Sequence, residues 1–249
     1  MDWYIYPLII LAGFLAGVIN TLAGSGSLIT LPLLIFLGLP ATVANGTNRV
    51  AILLQNVVAS SSYQRKGALD RPGALRLSIP AIIGALIGAQ IAVNLNEELM
   101  RRVIGIIMLA MLFVILLRPQ RWLQGNLQNL AGWPDTKQAL AMFAIGLYGG
   151  FIQAGVGVFL LSALVLAIGY DLVRANAVKV VIVLFFTLFA LIVFIINDQV
   201  DWGIGLLLAS GNMLGAWMAT KWAVERGADW VRLILLLTVA ISAAYLLIT

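Results

Sequence analysis

Asn20-Thr21-Leu22-Ala23-Gly24-Ser25-Gly26-Ser27 lies in the middle of an uncharged stretch that runs from Trp3 to Asn48. A helix from Trp3 to Gly38 would rise about 54 Å at 1.5 Å per residue, too long for one passage through a hydrocarbon core of about 30 Å and slightly short of two. The glycines and serines at its centre mark where such a helix breaks. The segment therefore reads as a hairpin that turns back near the midplane of a bilayer. A second overlong window, 138–170, carries its own break at Gln153, Gly155 and Gly157.

Composition supports a membrane setting. Of 249 residues, 62% are hydrophobic and 10% charged, against roughly 45–50% and about 25% in soluble domains; the mean hydropathy is +1.05. Further uncharged windows at 77–96, 103–117, 180–197, 202–220 and 233–249 complete the pattern of a polytopic helical membrane protein and exclude a soluble enzyme. The chain has no cysteine and no histidine. Cys or His metal sites, a thiol nucleophile, a disulfide and a Ser-His pair around Ser25 are all excluded. No catalytic residue, metal or cofactor is expected. The amino terminus lacks the positive region of a cleaved signal and is expected to remain. The net charge of +5 is distributed between apolar windows, which points to membrane topology and not to nucleic acid.

The chain also repeats. At a shift of 131 residues Gly38, Ala44, Asn45, Asp70, Leu77, Gly84 and Arg101 fall on Gly169, Ala175, Asn176, Asp201, Leu208, Gly215 and Arg232. Upstream the shift reads as 133, pairing Gly13 and Gly17 with Gly146 and Gly150, and Asn20 with Gln153; two residues then look missing from the second copy beside Gly155 and Gly157. Basic residues decide how the copies are oriented, because they accumulate on the cytoplasmic side. If each overlong segment crosses once, the 15 Lys and Arg divide 7 to 8. If each is a hairpin, only Arg49, Arg101 and Arg102 lie outside and the other 12 inside. The expected fold is therefore an all-α polytopic membrane protein of two inverted-topology repeats, each a broken or re-entrant helical hairpin followed by three transmembrane helices. The first repeat covers 1–117, a cytoplasmic linker 118–137, and the second repeat 138–249, forming one integral unit with both termini extracytoplasmic. Helices are expected near 41–63, 77–95, 99–117, 172–196, 202–220 and 230–248, with Glu97, Glu98 and Asp229 in first turns, where the macrodipole favours acids.

Polar backbone inside a bilayer is tolerated only where protein buries it or it lines a wet cavity, and broken helices at repeat interfaces hold substrate in secondary transporters. Gly24, Ser25, Gly26 and Ser27, with Gly155 and Gly157, are accordingly candidate binding residues, together with Asn20 and Gln153. The small pairs Gly13/Gly17, Gly84/Gly88 and Gly211/Gly215 read as close helix packing. After each hairpin comes a matched polar cluster: Asn45, Asn48 and Arg49 share one helical face, as do Asn176 and Lys179. Neither cation has an acid three or four residues away. An anion is the expected partner, and removing either cation is expected to weaken anion binding while the fold survives; the alternative is that both snorkel to the headgroups. All ten acids fall in loops or near helix ends, so no buried carboxylate relay is evident.

Gly13-Phe14-Leu15-Ala16-Gly17, then Gly24-Ser25-Gly26, Leu31-Pro32-Leu33-Leu34 and the Asn45 to Asn48 cluster, with a degenerate second copy at Gly146 to Gly157, resemble the sulfite exporter TauE/SafE family, also called the 4-toluene sulfonate uptake permeases. The resemblance covers nearly the whole chain. It implies a secondary transporter of the cell (inner) membrane, exporting or taking up sulfite, a sulfonate or a related small anion by alternating access. The implied partners are that anionic substrate and membrane lipid, with no nucleic acid; a homodimer stays open, and a passive anion channel or a non-transporting membrane subunit are the other readings.

The 12 to 3 partition of basic residues predicts the sidedness directly. A membrane-impermeant thiol reagent applied from outside should modify a cysteine placed at Asp198 and spare one placed at Arg65; equal labelling of both would reject the inverted arrangement.

Overall fold

The protein is described by a computed structural model covering residues 3–116 and 134–248, the side chains of 111–116 and 226–248 excepted. The elements are helices: α1 (Ile5–Leu22), α2 (Ser27–Phe36), α3 (Ala41–Arg65), α4 (Arg71–Val93), α5 (Glu97–Leu116), α6 (Thr136–Phe151), α7 (Val156–Ser162) continued by a π-helical segment (Ala163–Ile168), α8 (Leu172–Ile196) and α9 (Trp202–Ile248). The expected linker, 118–137, lies outside the described residues except for 134–137, where Asp135 caps α6 and exchanges hydrogen bonds with Gln138 in a capping box.

Caps set the helix starts. Asp70 accepts from Gly73 N, Asp171 from Val173 N and Arg174 N, and Asp201 from Ile204 N. Helix α3 begins on Pro40, and its first amides are served from elsewhere: Glu97, in the first turn of α5, accepts from Ala41 N at 2.8 Å and Thr42 N at 3.4 Å. The chain turns back after each break. Gly26 packs against Ala16 O and the Asn20 side chain, and Phe159 of α7 meets Tyr148 of α6 edge-on. Ten-residue α2 rises about 15 Å, half of the hydrocarbon core.

The helices stack in the order α1, α9, α3, α8, α4, α6, each packed on the next. The two central helices are antiparallel: Gly46 lies beside Phe194 and Gln199, while Ser60 and Gln64 at the other end of α3 face Val181 and Phe185. The outer pairs close on small residues. A Cβ on Gly84 would lie 2.1 Å from Phe143 O, and one on Gly215 2.1 Å from Phe14 O, so α4 touches α6, and α9 touches α1, backbone to backbone. Among the described residues α1, α4 and α8 are each long and apolar enough to cross a membrane. Helix α3 has the length but carries Asn45, Asn48, Arg49, Gln55 and Asn56 as buried residues; it is a polar core enclosed by apolar neighbours.

Two sequence expectations are corrected. Separate helices at 202–220 and 230–248 are one: α9 runs through 221–229 unbroken, and Asp229 lies inside it and not in a first turn. The intervening Lys221-Trp222-Ala223-Val224-Glu225-Arg226 favours helix, and the lone Gly227 costs only about 1 kcal/mol. The register of the hairpins also shifts. Leu22 and Phe151 end the first arms and Ser27 and Val156 begin the second, both pairs 129 residues apart, so the breaks are equal in length. The offset returns to 131 at Gly38 and Gly169, which share φ +94°, and the two extra residues of the second copy lie in the arm containing the π-helical segment.

Because the neighbouring carbonyl leaves no room for a methyl group, Gly215→Val should lower the thermal midpoint of the purified protein by several degrees, an overpacking cost of about 1–3 kcal/mol or more. The same change at Gly38, whose Cβ would meet open space but whose φ is positive, tests strain without crowding.

Candidate functional site

A helix that ends inside a bilayer leaves up to four carbonyls without intrahelical partners, and a carbonyl left dry costs about 1–3 kcal/mol. Helices α1 and α6 both end this way at the centre of the stack. Each end is met by a cation from the other repeat. Arg49 of α3 donates to Gly150 O at 2.6 Å, Gly149 O at 3.1 Å and Phe151 O at 3.4 Å, all in the last turn of α6. Lys179 of α8 donates to Thr21 O at 2.8 Å and Asn20 O at 3.1 Å, in the last turn of α1. Positive charge at a helix C terminus also complements the macrodipole. Arg49 is 0% exposed and Lys179 2%, so neither snorkels.

The amides complete these caps. Asn45 donates to Phe151 O at 2.8 Å and accepts from Arg49 at 3.4 Å, while Asn176 accepts from Lys179 at 2.6 Å. Asn48 accepts from the Thr30 hydroxyl at 2.7 Å and donates to Ser27 Oγ at 3.2 Å, which ties the returning arm α2 to α3. Asn20 donates to Gln55 Oε1 at 3.2 Å, as does Asn212, and Gln55 donates onward to Thr21 Oγ1. Gln153 donates to the Thr187 hydroxyl at 2.6 Å, and its own Oε1 is buried without a partner, as is Nδ2 of Asn176.

The two breaks touch. Gly24 has φ +77° and Gly155 φ +72°, and a Cβ on either Gly24 or Gly157 would lie 2.4 Å from the Cα of the other. Where they meet is a small cavity of about 10 Å³, room for roughly one water. Its walls include Asn20, Gly24, Gln153, Gly157 and Lys179, together with Asn56, which sequence reading passed over. Ser25, Gly26, Ser27 and Gly155 are buried or capping positions in the breaks and do not line it; Asn45, Asn48, Arg49 and Asn176 stand behind it. Arg49 is held further by the Phe194 ring, 4.6 Å from its guanidinium carbon. Asn56 falls on Thr187 at the 131-residue shift, two polar residues in apolar windows, and that signal was available.

At the basic end of the stack a bond joins the repeats outside the hydrocarbon. Tyr170 donates to Asp70 Oδ2 at 2.6 Å, and burial, reinforced by that carboxylate, pushes the phenol pKa up, so it stays a donor. At the opposite end Asp201 N donates to Thr47 Oγ1 at 2.9 Å and Gln199 donates to Val93 O at 3.1 Å.

Comparison with known proteins adds a match to the family model for Sulfite exporter TauE/SafE over residues 9–246. The chain belongs to this family. Among curated proteins it is 26% identical over 244 residues to a probable membrane transporter protein, ORF9, of a Sinorhizobium species, covering 97% of this chain and 92% of the relative. It is 27% identical over 228 residues to a probable membrane transporter protein of Haemophilus influenzae, covering 88% and 86%. It is 24% identical over 233 residues to the probable membrane transporter protein YfcA of Escherichia coli K12, covering 94% and 86%. No solved structure matches the chain significantly. The sequence match and the all-helical stack agree on a polytopic member of a membrane-transporter family.

The caps give each cation a structural duty in addition to any ligand. Lys179→Met should therefore destabilise the fold by about 3 kcal/mol, read as a fall in thermal midpoint, because it orphans two carbonyls and Asn176 Oδ1. Lys66→Met, which removes a partly exposed pair with Glu225 at 3.6 Å, should cost under about 1 kcal/mol. Equal stability of the two variants would show that the helix ends do not need the cation.

Proposed function

We propose that this protein is a secondary transporter of a small sulfur-containing or organic monoanion, such as sulfite or a sulfonate, and that it exports the anion from the cytoplasm by alternating access between two inverted repeats. The observation that carries the reading is the cavity at the meeting point of two broken helices, with Lys179 in its wall. The antiparallel pairing of α3 and α8 supports inversion of the repeats, and the basic end of the stack, carrying Arg65, Lys66 and Arg71, is the end we assign to the cytoplasm.

Charge selects the substrate class. A helix C terminus carries about half a negative charge, so Lys179 retains about half a positive charge towards the cavity, and among the described residues no acid lines it. That field favours a monoanion over a neutral solute and binds a dianion without full compensation. Oxygen chemistry supplies a mechanism. The oxygens of a sulfite or sulfonate are hydrogen-bond acceptors like the carbonyls of Asn20 and Thr21, so an incoming anion can replace a carbonyl on the Lys179 ammonium. Binding then frees the end of α1 from α8, which links occupancy of the site to movement of the hairpin. The cavity holds about one water in the described state, so the hairpin tips must part for a substrate to enter.

An inside-negative potential drives a monoanion outwards by about 2.3 kcal/mol per 100 mV, enough for export without a proton carried by the protein. In proteoliposomes at equal pH on both sides, a potassium potential set with valinomycin should drive saturable flux of a permanently charged sulfonate in the direction of its charge. Flux without saturation would indicate a channel. Absence of flux for every anion tried would favour a non-transporting subunit. Dependence on a pH or sodium gradient alone would reject transport driven by potential.

A further inference from the structure

Away from the hairpin tips, the basic end of α3 carries a second arrangement that the transport site does not use. Val57, Ser61 and Arg65 lie at i, i+4 and i+8 and form an exposed stripe on the outer face of α3. A crevice opens on each side of that stripe. The first, about 540 Å³, lies between α3, α4 and α8; its walls are apolar, from Leu69, Leu75, Val181, Leu184 and Phe185, and its rim holds Gln64, Arg65 and Arg71. The second, about 360 Å³, lies between α3 and α9 and is bounded by Val57, Val58 and Trp217 below Arg65 and Lys66. Ser61 and Arg65 belong to both.

We infer that this saddle binds one anionic phospholipid, its phosphate on Arg65 and Ser61 and its two acyl chains lying in the crevices on either side of α3. Three features point to this occupant. The neighbouring cations are already engaged: Lys66 with Glu225, and Arg71 with Gln64. Among the described residues Arg65 has no hydrogen-bond or ion-pair partner and the Ser61 hydroxyl has none either. A guanidinium and a hydroxyl one helical turn apart match the oxygens of a phosphodiester. The crevices, in turn, are lined chiefly by aliphatic and aromatic carbon and face outward beside exposed Leu75, Ile79 and Leu188, where lipid tails lie. Trp217, 55% exposed, walls the second crevice beneath Arg65 and adds an aromatic face for an acyl chain to lie against. A free oxyanion would use Arg65 and leave both apolar crevices unfilled; a diacyl phosphodiester uses all three parts. Basic pockets between transmembrane helices are a general means of holding such headgroups.

The test uses the purified full-length protein, stripped of lipid in a neutral detergent, with phosphatidylglycerol, phosphatidylcholine and inorganic phosphate as probes. Native mass spectrometry should retain one phosphatidylglycerol per chain, about tenfold more tightly than phosphatidylcholine, and that lipid should raise the thermal midpoint. Arg65→Gln should weaken retention about tenfold, the loss of one charge-assisted bond. Ser61→Phe should weaken it by filling the saddle. Arg102→Gln removes the same charge from an exposed pair with Glu98 on α5 and should leave retention unchanged. Equal retention of phosphatidylglycerol by wild type and Arg65→Gln would overturn the proposal, as would equal retention of phosphatidylcholine. Equal stabilisation by inorganic phosphate alone would overturn it too, assigning a free-oxyanion site instead. None of these readouts depends on which solute the protein transports.

Discussion

Two helices end in the interior of this protein, and their last carbonyls must be satisfied where water is scarce. Everything at the centre of the stack follows from that requirement. A cation is the strongest available donor, but a cation inside a bilayer is itself costly and persists only with several acceptors around it. The last turn of α6 supplies those acceptors to Arg49, and the last turn of α1 supplies them to Lys179. Each liability therefore resolves the other. The solution crosses between repeats: α3 caps the broken helix of the second copy and α8 that of the first, so each cation serves the helix end of the other copy.

Reciprocity does not make the halves identical. Around the first hairpin Gln55 accepts from Asn20 and Asn212, while around the second the corresponding positions hold Phe186 and Ala81. The carbonyls of α1 thus end in a polar cluster beside the cavity, and those of α6 end against Phe186 and Phe194. The cations differ to match. Arginine's planar fork reaches three carbonyls in a fixed geometry, whereas a lysine ammonium can reorient among acceptors. The rigid cap stands behind the cavity, and the adaptable one in its wall.

Much of this was legible in the sequence because it rests on pattern. The hairpins followed from length against bilayer thickness, and the polar clusters at Asn45 and Asn176 from a repeat that aligns them. The partners of Arg49 and Lys179 were not legible, since carbonyls are common to every residue and a sequence search for a counter-charge looks for acids. The register of the first arms is ambiguous in the sequence for a related reason: Gly13 and Gly17 are four apart, as are Gly146 and Gly150, so sliding one pair by a turn still matches Gly17 to Gly146. Packing settles it, since Gly17 abuts Asn212 and Gly146 abuts Ala81, residues that are 131 apart. Helix α9 shows the limit of charge as punctuation: Lys221, Glu225 and Arg226 look like a loop between spans but carry no backbone reason to stop a helix.

The same geometry constrains how the protein can move. A rearrangement that draws the end of α1 away from α8 must leave Lys179 with other acceptors, or the cost of a bare buried ammonium opposes it. The described state holds the ammonium with three acceptors, two carbonyls and Asn176, and so favours a closed tip. An oxyanion lowers that barrier by exchanging acceptor for acceptor, while a neutral apolar solute of the same size does not. Selectivity and gating then have one origin on the proposed reading: the solute that opens the tip is the one able to stand in for a helix end.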